Sequence, residues 1–368
     1  MALPSQTITY DRLATEVLDN VGSMEAYDNL RLYDGVIEAF GRFGGIVPEL
    51  GGGPSFNERV LYGSNQTVAF RGKAGGITIT DDDGYTMARV TQRIISGLVV
   101  WNQVEADQVA GDKWRTGDLM KDKVNQFSST WVQTWATALR QAVPTANDPL
   151  TILPSGTTGD VNGILIPRTP AQQATDAATT AGISRGDYSW WRNQYSNTSY
   201  DLTTVAGRGA LYADVYAPCV RGAGGLYEPN VAPCHAIVLG DLGASSDNNR
   251  RGSIADGSKA KFGYDSIMFY NAELIRDSSA RFLNGTAGKV AFLSVGPNKS
   301  LVIKFLKGQG GVKKEMLDQR NNLGSMPIFW KHQAHSDVNS LNWVSLGYCV
   351  ASLVPKGLQD NGLADNIA

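Results

Sequence analysis

Between residues 118 and 143 the apolar side chains Met120, Val124, Phe127, Trp131, Trp135, Ala138 and Ala142 step by 4, 3, 4, 4, 3 and 4. That rhythm follows the 3.6-residue turn of an α-helix and gathers the apolar atoms into one stripe. Asp118 is a suitable N-cap, and Pro144 cannot continue the helix. At 1.5 Å per residue the segment makes a rod of roughly 39 Å, longer than most globular helices. Two tryptophans on one stripe require a broad apolar surface beneath them, so the rod is a backbone element for its domain.

The chain before the rod reads differently. Residues 11–21 carry Leu13, Val17, Leu18 and Val21 at helical spacing, and residues 29–40 form a second helical candidate. Residues 43–54 (FGGIVPELGGGP) are rich in glycine with two prolines, which predicts a break without regular structure. Residues 58–101 read as strands and turns, with short β candidates at 59–61, 67–70 and 77–80, a turn at 71–76 and a hairpin signal at Asp83-Gly84. A long strand is predicted from Tyr85, with Ala88, Val90 and Ile94 on one face and Arg89, Thr91 and Arg93 on the other. A hairpin of this kind is unstable alone in water, so its apolar face needs a partner.

After the rod, short strands are predicted at 162–166 and 236–239, a linker or weak helix at 171–182, and a helix at 208–220 with Leu211, Val215 and Tyr216 inward. Residues 245–257 read as a polar loop. Further β segments are expected at 264–269, 274–276, 289–295, 301–306 and 344–353. The fold class is α+β, rich in strands, with one very long helix.

Composition narrows the function. Of 368 residues 42% are apolar and only 18% charged, and 33 Lys+Arg against 35 Asp+Glu leave a net charge of −2, which rules out a polybasic nucleic-acid clamp or an acidic tail as the dominant character. Forty-one glycines, eight tryptophans and fourteen tyrosines suit β-structure with many turns and much surface buried against partners. Three cysteines, Cys219, Cys234 and Cys349, are too few and too odd in number for a disulfide scaffold. Neither a secretory signal nor a membrane-spanning run is visible, so a soluble chain made in a cytoplasm is expected and the sequons at Asn65, Asn197, Asn284 and Asn298 read as chance.

Each candidate for chemistry has a plainer reading. His332 and His335 are three apart, but no Glu lies between them and no helical stripe carries them. Cys219, Cys234 and His235 have no ligand-pair spacing, and buried Cys is commonly a small core residue. Asp81-Asp82-Asp83-Gly84 lacks the spaced ligands of a calcium loop and reads as a solvated hairpin tip. The glycines at 51–53 and 72–76 are followed by no Gly-Lys-Ser/Thr, and no Gly-x-Ser-x-Gly elbow occurs. Arg250-Arg251, Lys259, Lys261 and Lys313-Lys314 could touch a phosphate backbone by charge alone, and solvated loop charge accounts for them equally. No catalytic, cofactor-binding or metal-binding residue is assigned, and no enzyme is expected.

Three stretches together resemble the major capsid proteins of tailed bacteriophages, the Hong Kong 97-type shell fold. The first is the order of arm, β-hairpin region and long helix, with the helix text DLMKDKVNQFSSTWVQTWATALRQA similar to spine helices of one branch. The second is AGISRGDYSWWRNQ, matching at Gly182, Trp190, Trp191, Arg192, Asn193 and Gln194. The third is FGYDSIMFYNAELIRD followed by GKVAFLSVGPNKSLVIKF, similar to the late strands. The resemblance covers about residues 10 to 310 and leaves the last sixty or so unmatched.

The resemblance implies an N-terminal arm (1–54), an extended β-hairpin loop (55–109), a peripheral domain with a spine helix (110–195, helix 118–143), an axial domain (196–275), and return strands with a C-terminal segment (276–368). It implies a chain that self-assembles into pentamers and hexamers of an icosahedral shell around viral double-stranded DNA, found in the virion and assembled in the host cytoplasm. Its partners would be itself, portal and scaffolding proteins, and packaged DNA through non-specific contact, with no membrane and no cofactor. No scaffolding extension precedes the arm, so any scaffold is expected to be a separate protein or already removed. One family member crosslinks its shell through a Lys and an Asn; Lys73, near the hairpin tip, is the tempting counterpart, and the chemistry is not carried over to it. An encapsulin-type compartment keeps the same fold with different contents, a carbohydrate-binding phage protein would use the Trp and Tyr for stacking, and a metal-dependent hydrolase is a further rival.

Overall fold

A computed structural model describes residues 35–49, 53–63, 84–102, 113–141, 149–152, 163–175, 179–222, 227–244, 267–277, 288–306, 328–333 and 342–367. The expected helix at 11–21, the β candidates at 67–70 and 77–80 and the polar loop at 245–257 lie outside these residues.

The strands, in chain order, are β1 (Ile46–Glu49), β2 (Ser55–Leu61), β3 (Tyr85–Thr91), β4 (Arg93–Asn102), β5 (Thr179–Thr180), β6 (Ile183–Ser184), β7 (Gln194–Ser196), β8 (Val231–Cys234), β9 (Ile267–Phe269), β10 (Ala272–Arg276), β11 (Gly288–Phe292), β12 (Leu301–Leu306), β13 (Phe329–Gln333), β14 (Asn342–Pro355) and β15 (Gly362–Ile367). One sheet runs β1-β12-β14-β13 with β4 also on β14; a second runs β7-β15-β11-β8-β10-β9; β2 pairs with β3, and β5 with β6.

The long helix spans Lys113–Arg140, not 118–143. It starts earlier because extending a formed helix through residues without a proline is cheap compared with nucleating one, which puts Asp118 inside it rather than at its cap. It ends earlier because Ile152 N donates to Leu139 O at 2.7 Å, closing the last turn from outside. The stripe is as expected where its side chains are described: Val124, Trp131, Trp135 and Ala138 are buried, with Val132, Ala136 and Leu139 widening the face. Phe127 seats in a trough where Gly97 of β4 and Gly347 of β14 pair directly. A Cβ on Gly97 would stand 2.8 Å from the Phe127 ring, and one on Gly347 2.7 Å, so any larger residue at either place displaces the helix from the sheet.

Other expectations are corrected. Residues 43–54 do hold regular structure: the chain leaves the helix Gly35–Arg42 through Gly44 in the left-handed region (φ +69) and forms β1, parallel to β12. Pro48 is tolerated because β1 is an edge strand. The long strand from Tyr85 is two strands broken at Gln92, so Ala88 and Val90 are buried while Ile94 faces outward, 71% exposed. The expected strand at 236–239 is the helix Ala236–Ala244, and the buried strand is β8 just before it. His235 makes the change, its Nδ1 accepting from Ile237 N at 3.1 Å. Residues 162–166 contribute one isolated bridge, Gly163 to Thr151, rather than a strand. Residues 171–182 divide into a capped helix, Pro170–Ala174, and the start of the β5–β6 hairpin. The helix expected at 208–220 runs from Val205 to Gly222 through a π-turn at Tyr212–Tyr216, with Leu211, Val215 and Tyr216 inward.

The second sheet is a wall between two cores. Along β11, Val290 and Phe292 pack with the helix at 205–222, whereas Ala291 and, just beyond, Leu293 pack with the long helix and the first sheet. The alternation of a strand's side chains makes this division possible. Two ion pairs tie other elements to β10 and its end, Arg42 to Glu273 and Arg140 Nε to Asp277 Oδ2 at 2.7 Å.

The chain crosses from the first sheet to the second through the turn after β14. Asn361 holds it there: Oδ1 accepts from Ser294 N at 2.9 Å, and Nδ2 donates to Ser300 Oγ and Gly357 O, each at 3.1 Å. Beside it Asp360 is 4% exposed, and burial pushes its carboxyl up to about 7. A carboxyl bound more tightly to its proton in the folded state gives full stability below its unfolded value near 4 and loses it as pH rises toward 7. Roughly 4 kcal/mol should disappear across that window, with no further loss above it. In Asp360→Asn, denaturant titrations should show this slope flattened, with the variant more stable than wild type at pH 8.

Candidate interaction surface

β2 and β3 form a two-stranded ribbon in register from Ser55–Thr91 to Leu61–Tyr85. Its two faces have different fates. Phe56, Val60, Ala88 and Val90 point into the main core and are buried. Glu58, on the same inner face, reaches the buried Lys304 of β12, which also bonds Glu49 of β1 at 2.5 Å. Burial alone would lower the Lys304 pKa, but hydrogen bonds and charge from Glu49 and Glu58 outweigh it and the net direction is up. One cation thereby ties the ribbon to the edge of the first sheet. Ser352 Oγ donates to Thr91 O at 2.8 Å and Gln92 N to Pro54 O at 3.2 Å, fixing the ribbon's root.

Its flank rests on the segment 179–194, the stretch whose text resembled a known motif. Ala181 (φ 54) and Gly182 (φ 79) form the two-residue turn between β5 and β6, both left-handed as such a hairpin requires. Ala181 O accepts from Arg89 N of the ribbon at 2.7 Å. Trp190 stacks flat on Tyr62 at 5.1 Å, with Tyr188 against both rings.

Beneath this saddle Arg185 is fully buried. Its guanidinium donates to Thr180 Oγ1, Gln173 Oε1, Asn193 Oδ1, Gly163 O and Ile164 O, at 2.7 to 3.1 Å. Trp191 Nε1 donates to Thr180 O, and Arg192 to the carbonyls of Arg185 and Gly186. Asn193 accepts from Ile166 N and donates back to Ile166 O. The planar fork of Arg185 therefore binds three separate stretches of chain into one platform.

The opposite face of the ribbon is uncovered. Leu61, Tyr85 and Met87 are 79%, 61% and 39% exposed at its distal end. On β4 the outward residues Ile94, Leu98 and Val100 are also exposed and pair across to Val350, Leu346 and Val344 of β14. Apolar side chains concentrated on one ribbon and one neighbouring strand suit a surface that meets other protein.

Other sequence candidates are dispersed. Cys219 lies in the helix Ala217–Gly222 and Cys234 in β8, and burial pushes both thiols up, while Cys349 is raised to about 12. His235 caps a helix. His332 lies in β13, a strand rather than a helix, and His335 is outside the described residues, as are Asp81, Asp82, Asp83, Gly72–Gly76 with Lys73, Arg250, Arg251, Lys259, Lys261, Lys313 and Lys314. Among the described residues no three His, Cys, Asp or Glu side chains gather as a metal site would require. No helix there is long and apolar enough to cross a membrane. Sequence reasoning missed Lys304 and the role of Arg185; the signal for the first is a lone Lys within the apolar run LVIKFL.

No protein-family model and no curated protein matches the chain. Solved structures do match. A chain of the cyanophage A-1(L) capsid asymmetric unit is 14% identical over 90% of this chain and 92% of that one, with a TM-score of 0.55. The capsid of a native GTA particle is 13% identical over 91% and 93%, with a TM-score of 0.47. The holo-SrpI encapsulin complex from Synechococcus elongatus PCC 7942 is 12% identical over 89% and 86%, with a TM-score of 0.40. The match to the cyanophage capsid chain shows a shared fold over about nine-tenths of both chains.

Proposed function

We propose that this chain is the major shell subunit of a phage capsid, many copies tiling an icosahedral shell as pentamers and hexamers around double-stranded DNA. The observation that carries this reading is a ribbon with one face spent on its own subunit and the other exposed, with Leu61, Tyr85 and Met87 uncovered at its distal end, on a fold shared with a cyanophage capsid chain. The long helix stiffens each tile, and the ribbon overlaps an adjacent subunit. Residues 1–54 act as an arm, 55–109 as the extended loop, 110–195 as the peripheral domain, 196–275 as the domain nearest the symmetry axes, and 276–368 as return strands. Portal and scaffolding proteins would be partners, and the near-zero net charge suits a lining that holds DNA without sequence preference. The role is mechanical and needs no catalytic residue.

The test is the content of particles purified from infected or expressing cells. Nuclease-protected double-stranded DNA within shells formed in infection supports the proposal. A co-purifying enzyme in place of nucleic acid would assign the shell to a cargo compartment of the encapsulin type.

A further inference from the structure

β4 borders the first sheet. Among the described residues it pairs with β14 along one side, from Arg93–Ala351 to Asn102–Asn342, and no strand lies along the other. The backbone groups of a strand turn alternately to its two sides, so about half of residues 94–102 present their N–H and C=O to the open one. Lys123 Nζ donates to one carbonyl of this strand, Val100 O, at 3.4 Å, and among the described residues no backbone group meets the open side. Proteins ordinarily blunt such edges with charge, proline or brevity. The run Ile94–Trp101 (IISGLVVW) carries neither charge nor proline, and Ile94, Leu98 and Val100 are exposed on it. An edge of this kind is a template for a further strand.

The chain carries a segment suited to fill it. Outside the described residues, and apart from the ribbon's own continuation at 67–70 and 77–80, Gln6-Thr7-Ile8-Thr9-Tyr10 is the run that alternates β-branched and aromatic residues without charge, glycine or proline. In an extended strand Ile8 and Tyr10 share one side and Thr7 and Thr9 the other. Such a strand continues the apolar face of Ile94, Leu98 and Val100 past the edge. Residues 11–34 link it to Gly35, where the described chain begins. Fully extended they span on the order of 80 Å, and about 60 Å with 11–21 helical. A compact chain of 368 residues is about 55 Å across, so the segment reaches any edge of its own molecule. We propose that residues 6–10 add to the open side of β4 in the same chain, sealing the first sheet with a sixth strand. This inference does not rest on the shell reading, because it concerns the single subunit.

The experiment measures amide hydrogen exchange across residues 94–102, resolved residue by residue, in the dissociated full chain and in its I8P/T9P and I8V/T9V variants. Adjacent prolines remove the donor from whichever of the two residues faces β4, whereas the valines keep the strand. In the wild type the amides on both sides of β4 should be protected. In I8P/T9P every second amide should exchange at least about ten-fold faster, while those bonded to β14 keep their protection. I8V/T9V should behave as the wild type, and circular dichroism should show all three chains folded. Equal exchange in the wild type and I8P/T9P overturns the inference. Protection of the open side that disappears on dilution also overturns it, in favour of a strand supplied by a second copy. Fast exchange of every second amide already in the wild type overturns it as well, and leaves the edge open to solvent.

Discussion

Deletion of residues 64–83, with Gly63 rejoined to Gly84 through an Asn-Gly turn, should leave a folded subunit that no longer builds shells. The cut is gentle because the ribbon is already closed at this point: Tyr62 N and Gly63 N both donate to Gly84 O, at 2.9 and 3.0 Å. The inward contacts of the described ribbon lie on the retained side: Phe56, Val60, Ala88, Val90, the Glu58–Lys304 bond and the Tyr62–Trp190 stack. Stability should therefore stay within roughly 0.5 kcal/mol of the full chain. If the ribbon overlaps a neighbour as proposed, the assembly threshold should rise by well over ten-fold, on the order of 1.4 kcal/mol per decade. Sedimentation velocity and denaturant unfolding on the same preparation separate the two effects. Normal shells from the shortened chain would remove the ribbon from the assembly mechanism.

The largest loss of stability should come from Arg185→Met. The substitution leaves the carbonyls of Gly163 and Ile164, and the side-chain acceptors of Gln173, Thr180 and Asn193, without the donor that joins them. Removing one member of a buried charged network typically costs about 3–5 kcal/mol, because the remaining polar groups are stranded away from water. Arg185→Lys keeps the charge but replaces a planar fork by a point donor, and should recover less than half of that loss. A second effect identifies the platform's purpose. As the saddle loosens, the Ala181–Arg89 bond and the Trp190–Tyr62 stack weaken, and the ribbon should become more sensitive to protease than the long helix. Equal sensitivity of both would mean that the platform does not position the ribbon.

The parts of this fold legible in the sequence are those governed by periodicity. The stripe through Val124, Trp131, Trp135 and Ala138 repeats at helical spacing whatever it packs against, and the strand at 301–306 is apolar but for Lys304. What was hidden depends on distant partners. β1 exists because β12 offers it a parallel edge some 250 residues away, which no local pattern of Gly and Pro reveals. The segment 236–239 is apolar enough for a strand, and only the cap from His235 and its packing over β11 make it a helix. The break at Gln92 reverses the faces downstream, so Ile94 was expected on the wrong side. At the interaction surface, the outward direction of Arg89 could be read from alternation. That its guanidinium makes no ion pair among the described residues could not, since that is a property of the folded neighbourhood. Arg185 stands within the stretch that carries the resemblance, yet its burial follows from the loop at 163–166 and Gln173 of the helix Pro170–Ala174 closing over it.

The proposed shell role requires a rigid plate whose exposed ribbon is completed by other copies. Electron microscopy of the purified full chain, as its concentration is raised, tests this most directly. The expected result is closed, uniform shells with five- and six-fold clusters, in which the ribbon of one copy lies against the next. A homogeneous monomer at every concentration, with Leu61, Tyr85 and Met87 still open to solvent, would contradict it.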